Sequence, residues 1–235
     1  MSDITPQTDE TVVDVAASLA DIHERMRLAA VNTGRDPAAT ALVAVSKQQP
    51  VERVEAALAA GQRVFGENYV QAAQAVWPAL RERHDDVELH MIGPLQTNKA
   101  EQAVNLFDVI QSLDRPKLAG ALAKAMDRTG RRPRLLVQVN TGEEPQKAGI
   151  LPTDADAFIR DAIENHQLPV DGLMAIPPAD EDISLHAALL CRIAERSGLA
   201  IRSVGMSEDF ETAIRFGSTM VRVGSAIFGA RMRRT

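Results

Sequence analysis

From residue 41 onwards, short apolar runs alternate with longer stretches of helical periodicity. Leu42 to Val45 is too short for a helix and β-branched enough for a buried strand. A helix over Val51 to Ala60 follows and stops at Gly61. The same reading predicts strands at Arg63 to Phe65, Glu88 to Ile92, Asp108 to Gln111, Arg134 to Val139, Val170 to Ala175, Ala200 to Val204 and Met220 to Val223. Between them it predicts helices over Val70 to Arg83, from the Gly93 loop to Asn105, and over Pro116 to Arg128, Thr153 to Asn165, Ile183 to Ser197 and Asp209 to Phe216. Pro116 suits a first helical turn, where its missing N–H is not needed. Ahead of this series, Val12 to Asn32 has helical spacing with no preceding strand, and residues 1–10 form a loose lead-in.

Eight strands alternating with helices imply parallel βαβ units, and their number fits a (β/α)8 TIM barrel with an extra N-terminal helix. An open doubly wound sheet is the rival, and it usually has fewer strands. No linker or shift of composition divides the chain, so one domain over residues 1–235 is expected.

Ligands in such folds bind at the C-terminal ends of the strands. The polar residues predicted at that rim are Ser46, Lys47, Glu67, Asn68, Gln96, Asn98, Ser112, Asn140, Ser207 and Ser225. Phosphate commonly binds after strands 7 and 8 of a barrel, where this chain has Gly205-Met-Ser207 and Gly224-Ser225. Small residues with free backbone N–H groups suit an anion; glycine turns with helix-capping serines are the plain alternative. Arg222 interrupts strand 8, and a charge there must face the lumen or be paired, because desolvating it alone is costly. Lys47, at the end of strand 1, is either a surface residue or an amine in a pocket. In a pocket, desolvation and nearby cations lower its pKa and make it a nucleophile towards carbonyls. An amine, a phosphate cradle and a polar group for a heterocycle suit pyridoxal 5′-phosphate (PLP). A phosphorylated sugar held through the amine needs the same parts, and spacing alone does not choose between them.

Composition narrows the class. The chain has 235 residues, 45% of them apolar and 25% charged, with a net charge of −6, which argues against a mainly nucleic-acid-binding surface. The basic Arg231-Met-Arg-Arg-Thr235 reads as a solvated end. A single cysteine, Cys191, excludes disulfides within the chain and fits a reducing cytoplasm. The acidic N-terminus carries no apolar signal segment, and no stretch approaches the roughly 20 apolar residues a membrane span needs.

Several stretches then carry a resemblance: Ala44-Val-Ser-Lys47, Phe65-Gly-Glu-Asn-Tyr69, His90-Met-Ile-Gly-Pro-Leu-Gln-Thr-Asn-Lys99, Gln111-Ser-Leu-Asp114, Gly172-Leu-Met-Ala-Ile-Pro177, Gly205-Met-Ser-Glu-Asp209 and the run from Gly217 to Gly229. In this order they resemble the YggS/PROSC family of PLP homeostasis proteins, whose fold is like the N-terminal barrel of alanine racemase. The match runs from about residue 41 to residue 231. The resemblance implies that Lys47 carries PLP as an internal aldimine, that Ser207, Gly224 and Ser225 hold its phosphate, and that Arg222 faces the pyridine nitrogen. It also implies pocket positions for Asn68 and Asn140, and for Lys147 a part in cofactor exchange, against the plain alternative of a solvated loop lysine. Two departures stand out. The segment after Pro177 is shorter than is usual in the family, so the helix after strand 6 is expected to be clipped, and the strand-5 loop reads Asn140-Thr-Gly-Glu-Glu144.

Racemase chemistry of this type needs a second base, a tyrosine from a separate C-terminal β domain. The sequence ends shortly after strand 8, so that domain is expected to be absent, and the one tyrosine, Tyr69, follows strand 2. Without an acid/base pair, two-sided proton transfer lacks a participant. The expectation is therefore a cytoplasmic PLP carrier, monomeric, handing cofactor to PLP-dependent apo-enzymes, with no metal, nucleic acid or membrane partner. A PLP-dependent racemase or lyase using Lys47 as its base is the alternative. A cofactor-free binding barrel is a third reading, but it leaves Lys47 and Arg222 unexplained.

Overall fold

The computed structural model describes residues 13–229; the lead-in over residues 1–10 and the basic C-terminal run lie outside them. Eight parallel strands close into a barrel in sequence order. They are β1 (Ala41–Val45), β2 (Val64–Glu67), β3 (Glu88–Met91), β4 (Val109–Leu113), β5 (Arg134–Val139), β6 (Val170–Ala175), β7 (Ile201–Ser203) and β8 (Met220–Val223). The seam is sealed where β8 pairs with β1, Met220 opposite Ala41 and Val223 opposite Ala44.

The helices are α1 (Val15–Val31), α2 (Val51–Ala59), α3 (Val70–Arg83), α4 (Ala100–Leu106), α5 (Pro116–Thr129), α6 (Ala155–Glu164), α7 (Ile183–Arg196), α8 (Phe210–Arg215) and α9 (Ser225–Phe228). Their ends follow local chemistry. Asp14 and Asp182 cap α1 and α7 by accepting from the N–H groups of Ala17 and Ser184, at 3.0 and 2.9 Å. Gly130 ends α5 in the left-handed region, with φ of 71°. The unpaired first helix, α1, packs against α2, α8 and α9, so it covers the β8–β1 seam from outside. Arg25 of α1 fixes it there, bonding both oxygens of Glu211 at 3.1 Å and stacking 4.8 Å over the Phe210 ring.

Period-two alternation splits each strand between two cores. Residues such as Leu42, Phe65, Leu89, Ile110 and Val221 face the helices and form the large outer core. Val43, Val109, Leu136, Met174 and Met220 fill the lumen as a separate cluster. On the outer side the Phe65 and Trp77 rings lie 4.9 Å apart, which ties β2 to α3.

Two expectations change. β4 runs two residues past Gln111, through a register shift between Ile110 and Leu113 that lets the strand continue. β2 starts and ends later than expected and takes in Gly66 and Glu67. The helix after strand 6, α7, has 14 residues. After Gly224, Ser225 opens the four-residue α9.

Candidate functional site

A cavity of about 330 Å³ opens at the C-terminal mouth of the barrel. It gathers Lys47, Asn68, Ser207, Arg222, Gly224 and Ser225 but not Asn140. Val45, Ile92 and the Ile176-Pro-Pro178 segment give it apolar walls.

Lys47 reaches the mouth because β1 turns sharply after Val45. The next residue, Gln48, holds φ of 58°, an uncommon conformation for a residue with a side chain, of the kind found at functional sites. Ser46 faces away from the cavity. Its hydroxyl donates to Glu67 Oε1 at 2.7 Å, and the indole N–H of Trp77 on α3 donates to the same oxygen at 3.3 Å. Burial raises the pKa of Glu67, while the two donors and the nearby Lys47 charge oppose that rise. A buried carboxyl thus stands behind the turn that carries the amine.

Arg222 points into the lumen and is 4% exposed. Its Nη1 donates to the carbonyl and hydroxyl of Ser203, at 2.8 and 2.7 Å, and its Nη2 to the carbonyl of Ala175 at 2.8 Å. Burial pushes it down to about 10, with Asp209 the charge that holds it up. It remains a cation at neutral pH.

On the β7–β8 side, Gly224 N–H donates to Ser207 Oγ at 3.3 Å, and Ser225 Oγ lies 3.2 Å from the same atom. A Cβ on Gly224 would come within 3.3 Å of the Val45 backbone oxygen, so the loop lies close against β1. Across the cavity, Asn68 Oδ1 is buried and takes no hydrogen bond.

Other rim residues divide by strand parity. Ser46 and Glu67 occupy the strand–helix layer. Ser112 is buried within β4, and Gln96 lines a second opening with Tyr69, Lys99 and Arg115. Asn140 is not a cavity residue: its side-chain N–H group donates to the carbonyl of Glu144 at 2.8 Å and organises the β5 loop. Lys147 is also outside the cavity lining. It pairs with Glu144 at 2.5 Å and donates to the carbonyl of Pro177 at 3.2 Å, so it braces the wall from behind. Residues that sequence reasoning passed over are His90, Gln111 and Ser203, which lie below Arg222; their signal was a polar side chain within a strand. Among the described residues no cluster of His, Cys, Asp and Glu could hold a metal ion, and no helix is long and apolar enough to cross a membrane.

Comparison with known proteins bears on the fold and the family. Residues 18–232 match the family model of the alanine racemase N-terminal domain. Proteins named pyridoxal phosphate homeostasis protein from Pseudomonas aeruginosa and Escherichia coli K12 are 41% and 38% identical, covering 92% and 93% of this chain and 96% and 97% of their own. The solved structure of PipY from Synechococcus elongatus PCC7942 with PLP bound is 33% identical with a TM-score of 0.78, covering 92% of this chain and 100% of that one. Alanine racemase from Acinetobacter baumannii, 17% identical with a TM-score of 0.69 over 93% of this chain and 62% of its own, shares the barrel fold. The chain belongs to the pyridoxal phosphate homeostasis protein family, built on the alanine racemase N-terminal domain.

Proposed function

We propose that this protein binds PLP at the barrel mouth and holds it for enzymes that depend on it, with Lys47 as the amine that meets the cofactor's aldehyde. The observation that carries the reading is the meeting, in one cavity, of a lysine amine, a buried guanidinium and a glycine–serine cradle. The donor set fits the group. Ser207, Ser225 and the backbone at Gly224 offer small, polar contacts for a phosphate, and the orphaned Asn68 Oδ1 wants a donor from a ligand.

When bound, the cofactor supplies a reactive aldehyde and an electron-withdrawing ring. The chain's residues favour holding over turnover. A cation such as Arg222 disfavours a proton on a neighbouring ring nitrogen, which leaves the ring a weaker electron sink. The sole tyrosine, Tyr69, is 54% exposed and lines the second opening, away from Lys47. Relatives at 41% and 38% identity bear homeostasis names, which supports the same role here. The proposed working form is a one-domain cytoplasmic monomer whose partners are apo-enzymes that use PLP.

The test separates carrier from racemase. PLP-loaded protein incubated with L-alanine in deuterated water is expected to give no Cα exchange and no D-alanine beyond a free-PLP control. Rapid exchange with accumulation of D-alanine would overturn the carrier role and leave PLP binding standing.

A further inference from the structure

Beneath Arg222 a chain of hydrogen bonds crosses the barrel lumen. Arg222 Nη1 donates to Ser203 Oγ at 2.7 Å, and Ser203 Oγ donates to Gln111 Oε1 at 2.7 Å. Gln111 Nε2 lies 2.7 Å from His90 Nδ1, and His90 Nε2 lies 2.5 Å from Glu88 Oε1. Glu88 Oε2 pairs in turn with Arg134 at 2.7 Å. Ser203, Gln111 and His90 are all 0% exposed. Glu88 opens β3, so the chain starts at the N-terminal mouth and ends on the floor of the cavity at the opposite mouth.

The donors and acceptors along the chain leave one arrangement of its protons. A guanidinium can only donate, so Ser203 accepts from it, and the Ser203 hydroxyl proton goes to the Gln111 carbonyl oxygen at 2.7 Å. That fixes the Gln111 amide with its NH2 group towards His90. An NH2 group can only donate, so Nδ1 of His90 must be a bare acceptor and the ring proton must sit on Nε2, facing Glu88. A carboxylate can only accept, which closes the sequence. No member competes with its neighbour, and hydrogen bonds aligned in one sense polarise and strengthen one another in a low-dielectric interior. Burial is the largest influence on His90 and lowers its pKa; Glu88 and Asp108 act against that, while Arg134 acts with it. A neutral ring is what the chain requires.

We propose that Glu88, His90, Gln111 and Ser203 are positioning residues for Arg222, forming a one-directional hydrogen-bond chain that holds its guanidinium in place on the cavity floor, with His90 as the Nε2–H tautomer. This deepens the PLP reading and rests on it only for the second of two readouts.

The first readout needs no cofactor. In ¹⁵N–¹H correlation spectra of the cofactor-free protein, with the His90 signals assigned by their loss in His90→Gln, Nδ1 is expected to be a bare acceptor and Nε2 protonated. Both are expected to hold from about pH 8 to about pH 6, where an ordinary histidine titrates. Gln111→Glu puts a carboxylate oxygen opposite Nδ1 and is expected to bring a proton onto that nitrogen. A wild-type proton on Nδ1, ordinary titration, or a tautomer indifferent to Gln111→Glu would each overturn the proposal. The second readout is PLP binding by Ser203→Ala, a small change that leaves the backbone intact. Losing one hydrogen bond to a buried charge is expected to weaken affinity about tenfold and shift the absorbance of the bound cofactor, with Ser203→Thr restoring both. Unchanged affinity and absorbance in Ser203→Ala would overturn the proposal. Should wild-type protein take up no PLP, the functional reading fails and the tautomer alone decides the chain.

Discussion

Arg222 on β8 reaches past its neighbour β7 to the carbonyl oxygen of Ala175 on β6, at 2.8 Å, while its other terminal nitrogen bonds the Ser203 carbonyl on β7, also at 2.8 Å. One guanidinium therefore joins three strands under the cavity. A lysine ammonium is a single point charge and cannot reproduce that planar fork. Arg222→Lys is expected to leave a buried carbonyl unpaired and to cost about 2 kcal/mol in urea unfolding. An unchanged midpoint would mean that the fork contributes little.

Glu67 predicts a pH dependence. Burial holds its folded pKa above the ordinary 4.5. The folded state then binds more protons than the unfolded one, so stability from this group is full below the unfolded pKa and is lost as pH rises through the folded one. Glu67→Gln removes the titrating group. Its melting temperature relative to wild type is expected to climb as pH rises from about 4.5 through the folded pKa. A flat difference would show that the carboxyl does not titrate as its surroundings require.

Gly205, two residues past β7, has φ of 105°, and a Cβ there would lie 2.7 Å from the Ala213 Cβ. Gly205→Ala is expected to cost about 3 kcal/mol and to disturb Ser207 two residues on, weakening PLP binding as well. Gly198, with φ of 67° and nothing within 4 Å of its added Cβ, is the control. Alanine there is expected to cost only about 1 kcal/mol and to leave binding unchanged.

Lys147 braces the cavity wall through the Pro177 carbonyl and an ion pair with Glu144. Partly exposed pairs of this kind are worth about 0.5 kcal/mol, so Lys147→Ala is expected to change stability little. Its effect is expected on the rate of PLP release, which should rise as the 176–178 wall loosens. Equal release rates would confine Lys147 to its loop.

The barrel was legible in the sequence because most strands carry a short apolar run closed by a turn, and β5, β6 and β8 fall on the expected residues. β4 ran longer because Ser112 looks like a loop residue and only the register shift lets it stay in the sheet. The cavity lining was legible where a polar residue lies within a few residues of a strand's C-terminal end, as with Lys47, Asn68 and Ser207. Parity misled at Ser46 and Glu67, one residue out of phase, whose partners Trp77 and each other lie outside the barrel. Asn140 and Lys147 could not be placed from sequence, since the fold of their loop depends on contacts with Glu144 and Pro177. The chain below Arg222 was hidden for another reason: its members come from β3, β4, β7 and β8, and only barrel closure brings them together.

The central claim is that Lys47 is the amine that engages PLP. Purified protein titrated with PLP is expected to develop a visible absorbance band that survives gel filtration, and Lys47→Ala is expected to show only the spectrum of free PLP and to lose it on the column. A stable band in Lys47→Ala, or none in wild-type protein after PLP is added, would contradict the account.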